Sequence, residues 1–312
     1  MIESVSDFQA SLRNYKNLDL ASYQRSHQGK IGVFDSGVGG LTGLRQLHHQ
    51  LPQESFLYFA DTAHVPYGTR SQSEIIELVR QILSWMTSQN VKMAIMACNT
   101  SSALALETVR SEFDIPILGI ILPGARAAVR AGQRIGVMAT PATINSNSYL
   151  QAIQEINPAA QVWQIACPEF VPLIESNRIH EPSTVTVVNQ YLQPLLDQEI
   201  DTLVYGCTHY PHLAPIIQPL LPSSVQVVDP AVHLATAAAA ELKLLGLNPI
   251  PGTIHSTQFC VSGCPEQFAQ VSSQWLGYIP EVEQIRLPGL LPANSSGAMA
   301  VSGSLVQADL EV

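Results

Sequence analysis

The chain is poor in charged residues, and lysine is the scarcest of them. Only 13% of its 312 residues are charged, and only four are lysines: Lys16, Lys30, Lys92 and Lys243. A net charge of −10 argues against a nucleic-acid partner, because proteins that bind phosphate backbones concentrate Lys and Arg. The small charged share and a hydrophobic content of 46% favour a compact, enzyme-like protein over a disordered chain.

Signals for export and for membrane insertion are also missing. Residues 1–29 are polar and mixed in charge, with no apolar stretch after a basic start, so they do not predict a signal peptide. The sequence contains no run of 18 or more apolar residues, so it does not predict a membrane span. Five cysteines are an odd number, and without an export signal they predict reduced thiols and a cytoplasmic location.

Four short apolar runs of the first half recur in the second half, in the same order and at similar spacing. They begin at Ile31, Phe56, Met93 and Ile117, and again at Ile135, Val162, Leu203 and Val225. Helical patterns lie between the runs, and this alternation predicts an α/β fold. We expect two pseudosymmetric α/β domains with mainly parallel sheets and the active site in the cleft between them. The alternative is that ordinary strand–helix alternation produces the match without a duplication.

Composition and pattern also predict how the chain divides into domains. We expect a flexible extension over 1–29, a first domain over 30–121 plus 231–288, and a second domain over 122–230. The Ser-, Gly- and Ala-rich residues 289–312 predict a disordered tail. The run at 257–263 is expected to return to the first domain as an extra strand.

Cys98 and Cys207 each stand where an apolar run ends and a small polar cluster begins. Ligands of open α/β sheets bind at this edge, so both thiols are expected at one site. A racemase needs two acid/base groups on opposite sides of a carbon atom, and a thiol with a free pKa of about 8.5 is suitable if the site lowers that value. Two alternatives remain open: cysteines that are simply buried apolar side chains, and a metal site that includes His209.

Polar residues next to the other runs are candidates for binding an anion. Asp35 and Ser36 precede a glycine-rich turn whose N–H groups are suited to a carboxylate, although such a turn need not bind any ligand. Tyr67 and Gly68 follow the second run and offer a hydroxyl and an N–H group, or form an ordinary turn. When a racemase removes the α-proton, the substrate becomes negatively charged, and hydrogen-bond donors of this kind stabilise that charge. Further candidate donors are Asn99, Thr100, Thr140, Thr143 and Thr208.

The placement of the lysines bears on the cofactor. Pyridoxal phosphate would need a lysine for its Schiff base, and none of the four follows a predicted strand. We therefore expect chemistry without a cofactor and without a metal. The remaining cysteines, Cys167, Cys260 and Cys264, are expected to lie outside the site.

Four motifs together resemble the glutamate racemases. They are Ile31–Thr42, Pro66–Gly68, Ala97–Thr100 and Gly206–Pro211. The resemblance runs from about Lys30 to Leu287 and implies cofactor-independent interconversion of L- and D-glutamate, which supplies D-glutamate for peptidoglycan. It also implies two facing α/β domains and a homodimer.

The resemblance assigns roles to individual residues. Cys98 and Cys207 become the two acid/base groups, with Asp35 assisting Cys98, and with His209 and Glu175 assisting Cys207. The substrate-binding residues that it implies are Asp35, Ser36, Tyr67, Gly68, Asn99, Thr100, Thr140, Thr143, Thr208 and His209.

Other functions remain open from the sequence. The nearest is a racemase for aspartate or another amino acid, which uses the same paired thiols. A protein that binds a ligand in the cleft without catalysis would show no exchange of the α-proton. A thiol redox or metal protein is the third.

Overall fold

The computed structural model describes residues 29–247, 249 and 255–287. The predicted disordered tail at 289–312 and all but the last residue of the predicted extension lie outside the described residues. Within the described part, no helix is both long enough and apolar enough to span a membrane.

The first series of strands alternates with helices. Its elements are β1 (Lys30–Asp35), α1 (Leu41–Gln50), β2 (Phe56–Ala60), α2 (Gln72–Ser88), β3 (Val91–Met96), α3 (Asn99–Val109) and β4 (Ile117–Gly119). Two 3₁₀ turns, Thr62–His64 and Tyr67–Thr69, lie between β2 and α2. Helix α2 begins with a capping box, in which Ser71 and Glu74 each accept a hydrogen bond from the other's backbone N–H.

The second series follows the same plan. Its elements are α4 (Ile121–Ala131), β5 (Arg134–Ala139), α5 (Pro141–Asn145), α6 (Ser148–Ile156), β6 (Gln161–Ala166), α7 (Phe170–Glu175), α8 (Pro182–Leu196), β7 (Thr202–Gly206), a 3₁₀ turn (Tyr210–Leu213), α9 (Ala214–Leu220) and β8 (Gln226–Val228). The chain then continues through α10 (Pro230–Leu244), β9 (Thr257–Val261), α11 (Pro265–Leu276) and β10 (Val282–Gln284).

The strands form two parallel sheets with a shared internal order. The first is β10–β9–β2–β1–β3–β4 and the second is β6–β5–β7–β8, so β2–β1–β3–β4 corresponds to β6–β5–β7–β8. Strand β9 pairs with β2 in parallel, which confirms that the run at 257–263 adds a strand to the first sheet. The α/β fold class is confirmed, while the domain boundaries stay a prediction.

The continuous apolar runs arise because helices cover both faces of the first sheet. All six residues of β3 are buried, and so are all five of β2. One of them is charged: the Lys92 ammonium lies 2.6 Å from the Glu54 carboxylate and donates to the Leu247 carbonyl at 3.0 Å. An ion pair and a hydrogen bond together allow the lysine to be buried. In contrast, β6 lies at the edge of its sheet and is partly exposed.

Candidate active site

One cavity lies at the carboxyl ends of the strands. Nine of the predicted residues line it: Ser36, Tyr67, Gly68, Cys98, Asn99, Thr100, Thr140, Cys207 and His209. The other four hydrogen-bond to residues of the site: Asp35 to Ser36, Thr143 to Thr100, Thr208 to Asp35 and Glu175 to His209. The structure therefore brings all the predicted site residues together.

Cys98 follows β3 and is the residue before α3. Burial and then the nearby charge of Asp35 raise the pKa of its thiol to about 12. The Asp35 carboxylate is itself held in place, because it accepts hydrogen bonds from the Gly37 N–H at 3.0 Å and from the Thr208 hydroxyl at 2.9 Å. At neutral pH this environment favours the protonated thiol of Cys98.

Cys207 follows β7 and has different neighbours. Its Sγ lies 3.7 Å from His209 Nδ1, and His209 Nε2 lies 2.6 Å from Glu175 Oε1. Burial alone lowers the pKa of His209, but the contacts with Cys207 and Glu175 outweigh it and raise the pKa well above its usual value. Burial opposes the charge of Glu175 as well, yet the hydrogen bond from His209 lowers the pKa of that carboxyl. The pair is therefore an imidazolium and a carboxylate beside the Cys207 sulfur.

The glycine-rich turn after β1 allows the two halves to approach closely. A Cβ atom at Gly39 would lie within 3 Å of the His209 ring and of the Thr208 hydroxyl. A Cβ atom at Gly37, in the same turn, would lie 3.0 Å from Glu175 Oε1. The turn is expected to bind the carboxylate of a ligand, and its Gly37 N–H already donates to the Asp35 carboxylate.

Three threonine hydroxyls form a cluster at the cavity. Thr140 lies 3.0 Å from Thr100 and 3.0 Å from Thr143, and Thr100 lies 3.3 Å from Thr143. Thr100 belongs to the first series and the other two to the second, so the cluster joins the two halves. Each hydroxyl can act as donor or acceptor, which allows the cluster to reorient toward an anion.

The hydroxyl of Tyr67 does not have its hydrogen available for a ligand. It donates to Asp61 Oδ2 at 2.5 Å, and Asp61 Oδ1 lies 2.7 Å from His64 Nδ1. Tyr67 therefore contributes its ring to the cavity wall. Gly68, beside it, packs against Thr140, where a Cβ atom would lie 2.8 Å from the threonine Cβ.

Cys167 was expected to lie outside the site, but it follows β6 and lines the cavity together with Cys98 and Cys207. Burial first, and proximity to Cys207 second, raise the pKa of its thiol. The internal repeat contained the signal, because β6 corresponds to β2, and the loop that follows β2 also lines the cavity. The other two cysteines differ in exposure: Cys260 is buried and Cys264 is exposed.

The lysines and possible metal ligands can also be placed. Lys30 and Lys92 are the first and second residues of their strands, at the edge opposite the cavity. Among the described residues, no group of three or more His, Cys, Asp or Glu side chains is arranged to hold a metal ion. The donors at the cavity are hydroxyl, amide, thiol and imidazole groups.

Comparison with known proteins places this fold and site in a class. A family model for Asp/Glu/Hydantoin racemases matches residues 40–238, which is more than half of the chain. The chain therefore belongs to this family of amino-acid racemases.

Within the family, the chain is similar to glutamate racemases. The chain is 63% identical over 286 residues to the glutamate racemase of Rippkaea orientalis, a match that covers 90% of this chain and 96% of the relative. Its structure resembles that of a glutamate racemase isoform from Bacillus anthracis, with a TM-score of 0.80 and 35% sequence identity. The match covers 83% of this chain and 98% of the Bacillus chain. A glutamate racemase from Francisella tularensis, solved in complex with D-glutamate, gives a TM-score of 0.80 at 34% identity. This match covers 85% of this chain and 100% of the Francisella chain.

Proposed function

We propose that this glutamate racemase interconverts L- and D-glutamate by moving the α-proton between its substrate and two thiols, Cys98 and Cys207. The observation that carries this proposal is that corresponding strands of two similar sheets, β3 and β7, each end in a thiol that lines one cavity. The D-glutamate complex of the Francisella relative supports glutamate as the substrate.

The reaction needs one thiolate and one thiol in each turnover. The thiolate removes the α-proton, and the thiol donates a proton to the opposite face of the same carbon atom. Because the pKa of Cys98 is raised, it enters the cycle as a thiol, and Cys207 is the first base. The His209 imidazolium can donate a hydrogen bond from Nδ1 to the Cys207 sulfur. In the reverse direction Cys98 must lose its proton first.

Neutral donors stabilise the charge that develops on the substrate. When the α-proton leaves, negative charge spreads onto the α-carboxylate, and donors already in place lower the barrier most effectively. The hydroxyls of Thr100 and Thr140 are in position for this at the cavity, and the Asn99 amide is in position to bind a carboxylate of the substrate. No lysine or arginine lines the cavity in the described part of the chain, so these dipoles bind the carboxylates. No step of this mechanism requires a cofactor.

Proton exchange in D₂O tests the function directly. L-glutamate and D-glutamate are incubated separately with the protein, without an added cofactor, and followed by proton NMR and chiral chromatography. We expect the α-proton signal to disappear from both enantiomers while each converts to the racemate. No exchange with folded, reduced protein would contradict the proposal. Faster exchange with aspartate would reassign the substrate, and tight binding without exchange would indicate a non-catalytic cleft protein.

Three further proposals concern the setting of the enzyme. We infer that it acts in the cytoplasm, supplies D-glutamate for peptidoglycan and forms a homodimer. The five thiols of the chain, all free in the structure, are compatible with a reducing compartment. Analytical ultracentrifugation tests the dimer, and loss of the gene product in cells should be rescued by external D-glutamate if the peptidoglycan role is correct.

A further inference from the structure

Tyr149, on α6, is a fully buried side chain that reaches both strand ends that bear the two thiols. Its hydroxyl donates a 2.6 Å hydrogen bond to Asn99 Oδ1, and Asn99 directly follows Cys98. Its ring packs over Gly206, which directly precedes Cys207: a Cβ atom there would lie 3.3 Å from Tyr149 Cε2. One residue of the second half thus contacts the neighbours of both thiols.

The bond from Tyr149 determines which end of the Asn99 amide is available. Because Oδ1 accepts this hydrogen bond, Nδ2 is the end left without a partner among the described residues. Asn99 is only 2% exposed and lines the cavity. A buried amide donor without an acceptor is unfavourable, so a ligand that supplies an acceptor there gains affinity.

We propose that Tyr149 is a positioning residue, which holds the Asn99 amide so that Nδ2 donates to a carboxylate oxygen of the substrate. This inference rests on the proposed function. The hydroxyl of a tyrosine can also accept a hydrogen bond, but the cavity has to bind an anion, which needs a donor. Without Tyr149 the amide can rotate and present Oδ1, which repels a carboxylate.

The test compares Tyr149→Phe with a matched control, Tyr205→Phe. Tyr205 is also a buried tyrosine, next to Gly206 on β7, but its hydroxyl has no hydrogen-bond partner in the described structure. For Y149F we expect the KM for both enantiomers to rise about tenfold, the factor that corresponds to one hydrogen bond, with kcat changed less than about threefold. Y205F should leave both constants unchanged. Equal constants for Y149F and wild type would overturn the inference.

A double-mutant cycle separates positioning from general destabilisation. In an Asn99→Ala background the target of Tyr149 is gone, so adding Y149F should raise the KM no further. If Y149F raises the KM equally in both backgrounds, Tyr149 acts by another route and the inference is wrong. Thermal unfolding of each variant gives the accompanying change in stability.

The amide signals of Asn99 test the same contact without turnover. In ¹⁵N-labelled protein, Y149F should shift the side-chain amide resonances of Asn99, and Y205F should not. Unshifted resonances in Y149F would show that the contact is absent in solution. Turnover of glutamate by the wild-type protein is measured in the same series, so failure of the proposed function is distinguished from failure of this contact.

Discussion

The ends of β3 and β7 occupy equivalent places in two sheets of the same strand order, yet their thiols have different neighbours. Cys98 lies near a carboxylate, Asp35, whose charge opposes formation of a thiolate. Cys207 lies 3.7 Å from a histidine whose pKa is raised by its contacts with Cys207 and Glu175, so that it carries a positive charge. The shared fold brings two like groups to one cavity, and the residues around them make the two groups unlike.

This difference suits the reaction that we propose. A two-base mechanism needs one thiolate and one thiol, and different surroundings decide which of the two sulfurs keeps its proton. The Asp35 charge favours the thiol of Cys98, and the imidazolium offers a hydrogen bond to the sulfur of Cys207. Substitutions can alter the surroundings of Cys98 and those of Cys207 separately.

Removing either thiol should have the largest effect. We expect Cys98→Ala and Cys207→Ala each to lower racemisation by about 10³-fold or more, because one face of the substrate then has no acid/base group. Each variant can still exchange the α-proton of one enantiomer, since the remaining thiol can remove and return a proton on its own face. Proton NMR in D₂O with each enantiomer measures both effects.

The exposed Cys264 provides the control for these two variants. Cys264→Ala removes an exposed thiol that does not line the cavity and should keep the wild-type rate. Racemisation at the wild-type rate by either C98A or C207A would exclude the two-thiol mechanism.

Changing Glu175 should have the next largest effect, and it alters only the Cys207 side. Glu175→Gln removes a carboxylate that raises the pKa of His209, so the ring loses its proton at lower pH than in the wild type. We expect the alkaline limb of the pH profile of kcat to move to lower pH. At pH values above the shifted limb, kcat should be roughly tenfold to hundredfold lower than in the wild type. Racemisation rates measured from pH 6 to pH 10 give the profile.

A second carboxylate at the start of the same helix serves as the matched control. Glu169 accepts a hydrogen bond from Tyr191 and has no contact with His209, so Glu169→Gln should keep the wild-type profile. An unchanged alkaline limb in Glu175→Gln would mean that the protonation of His209 does not govern the rate.

The sequence was sufficient to predict the strands and the residues that follow them. Buried parallel strands appear as continuous apolar runs, so the positions of Asp35, Cys98 and Cys207 at strand ends could be predicted from one chain. The repeat likewise predicted two similar α/β halves with mainly parallel sheets. These features depend on local pattern, which a single sequence contains.

Contacts between distant parts of the chain could not be predicted in this way. Tyr149 and Asn99 are separated by 50 positions, and nothing in either segment indicates that one hydroxyl binds one amide. The same holds for the close approach of Gly39 to the His209 ring. Cys167 is a different case, because the repeat matches its loop to the loop that contains Tyr67, which also lines the cavity.

Changing Asp35 should have the smallest measured effect, and it tests the Cys98 side. Asp35→Asn removes the charge that, after burial, contributes most to the raised pKa of Cys98, so more thiolate is present at a given pH. We expect Cys98 to be alkylated by iodoacetamide about threefold faster or more at pH 8, because the thiolate is the reacting form. Asparagine can still accept the Gly37 and Ser36 hydrogen bonds through Oδ1, and the Thr208 hydroxyl can turn to accept from the new amide. Mass spectrometry of the Cys98 peptide measures the rate, with Cys264 as the internal reference. If D35N leaves the rate unchanged or slows it, Asp35 does not set the protonation of Cys98, and the contrast between the two thiols must have another cause.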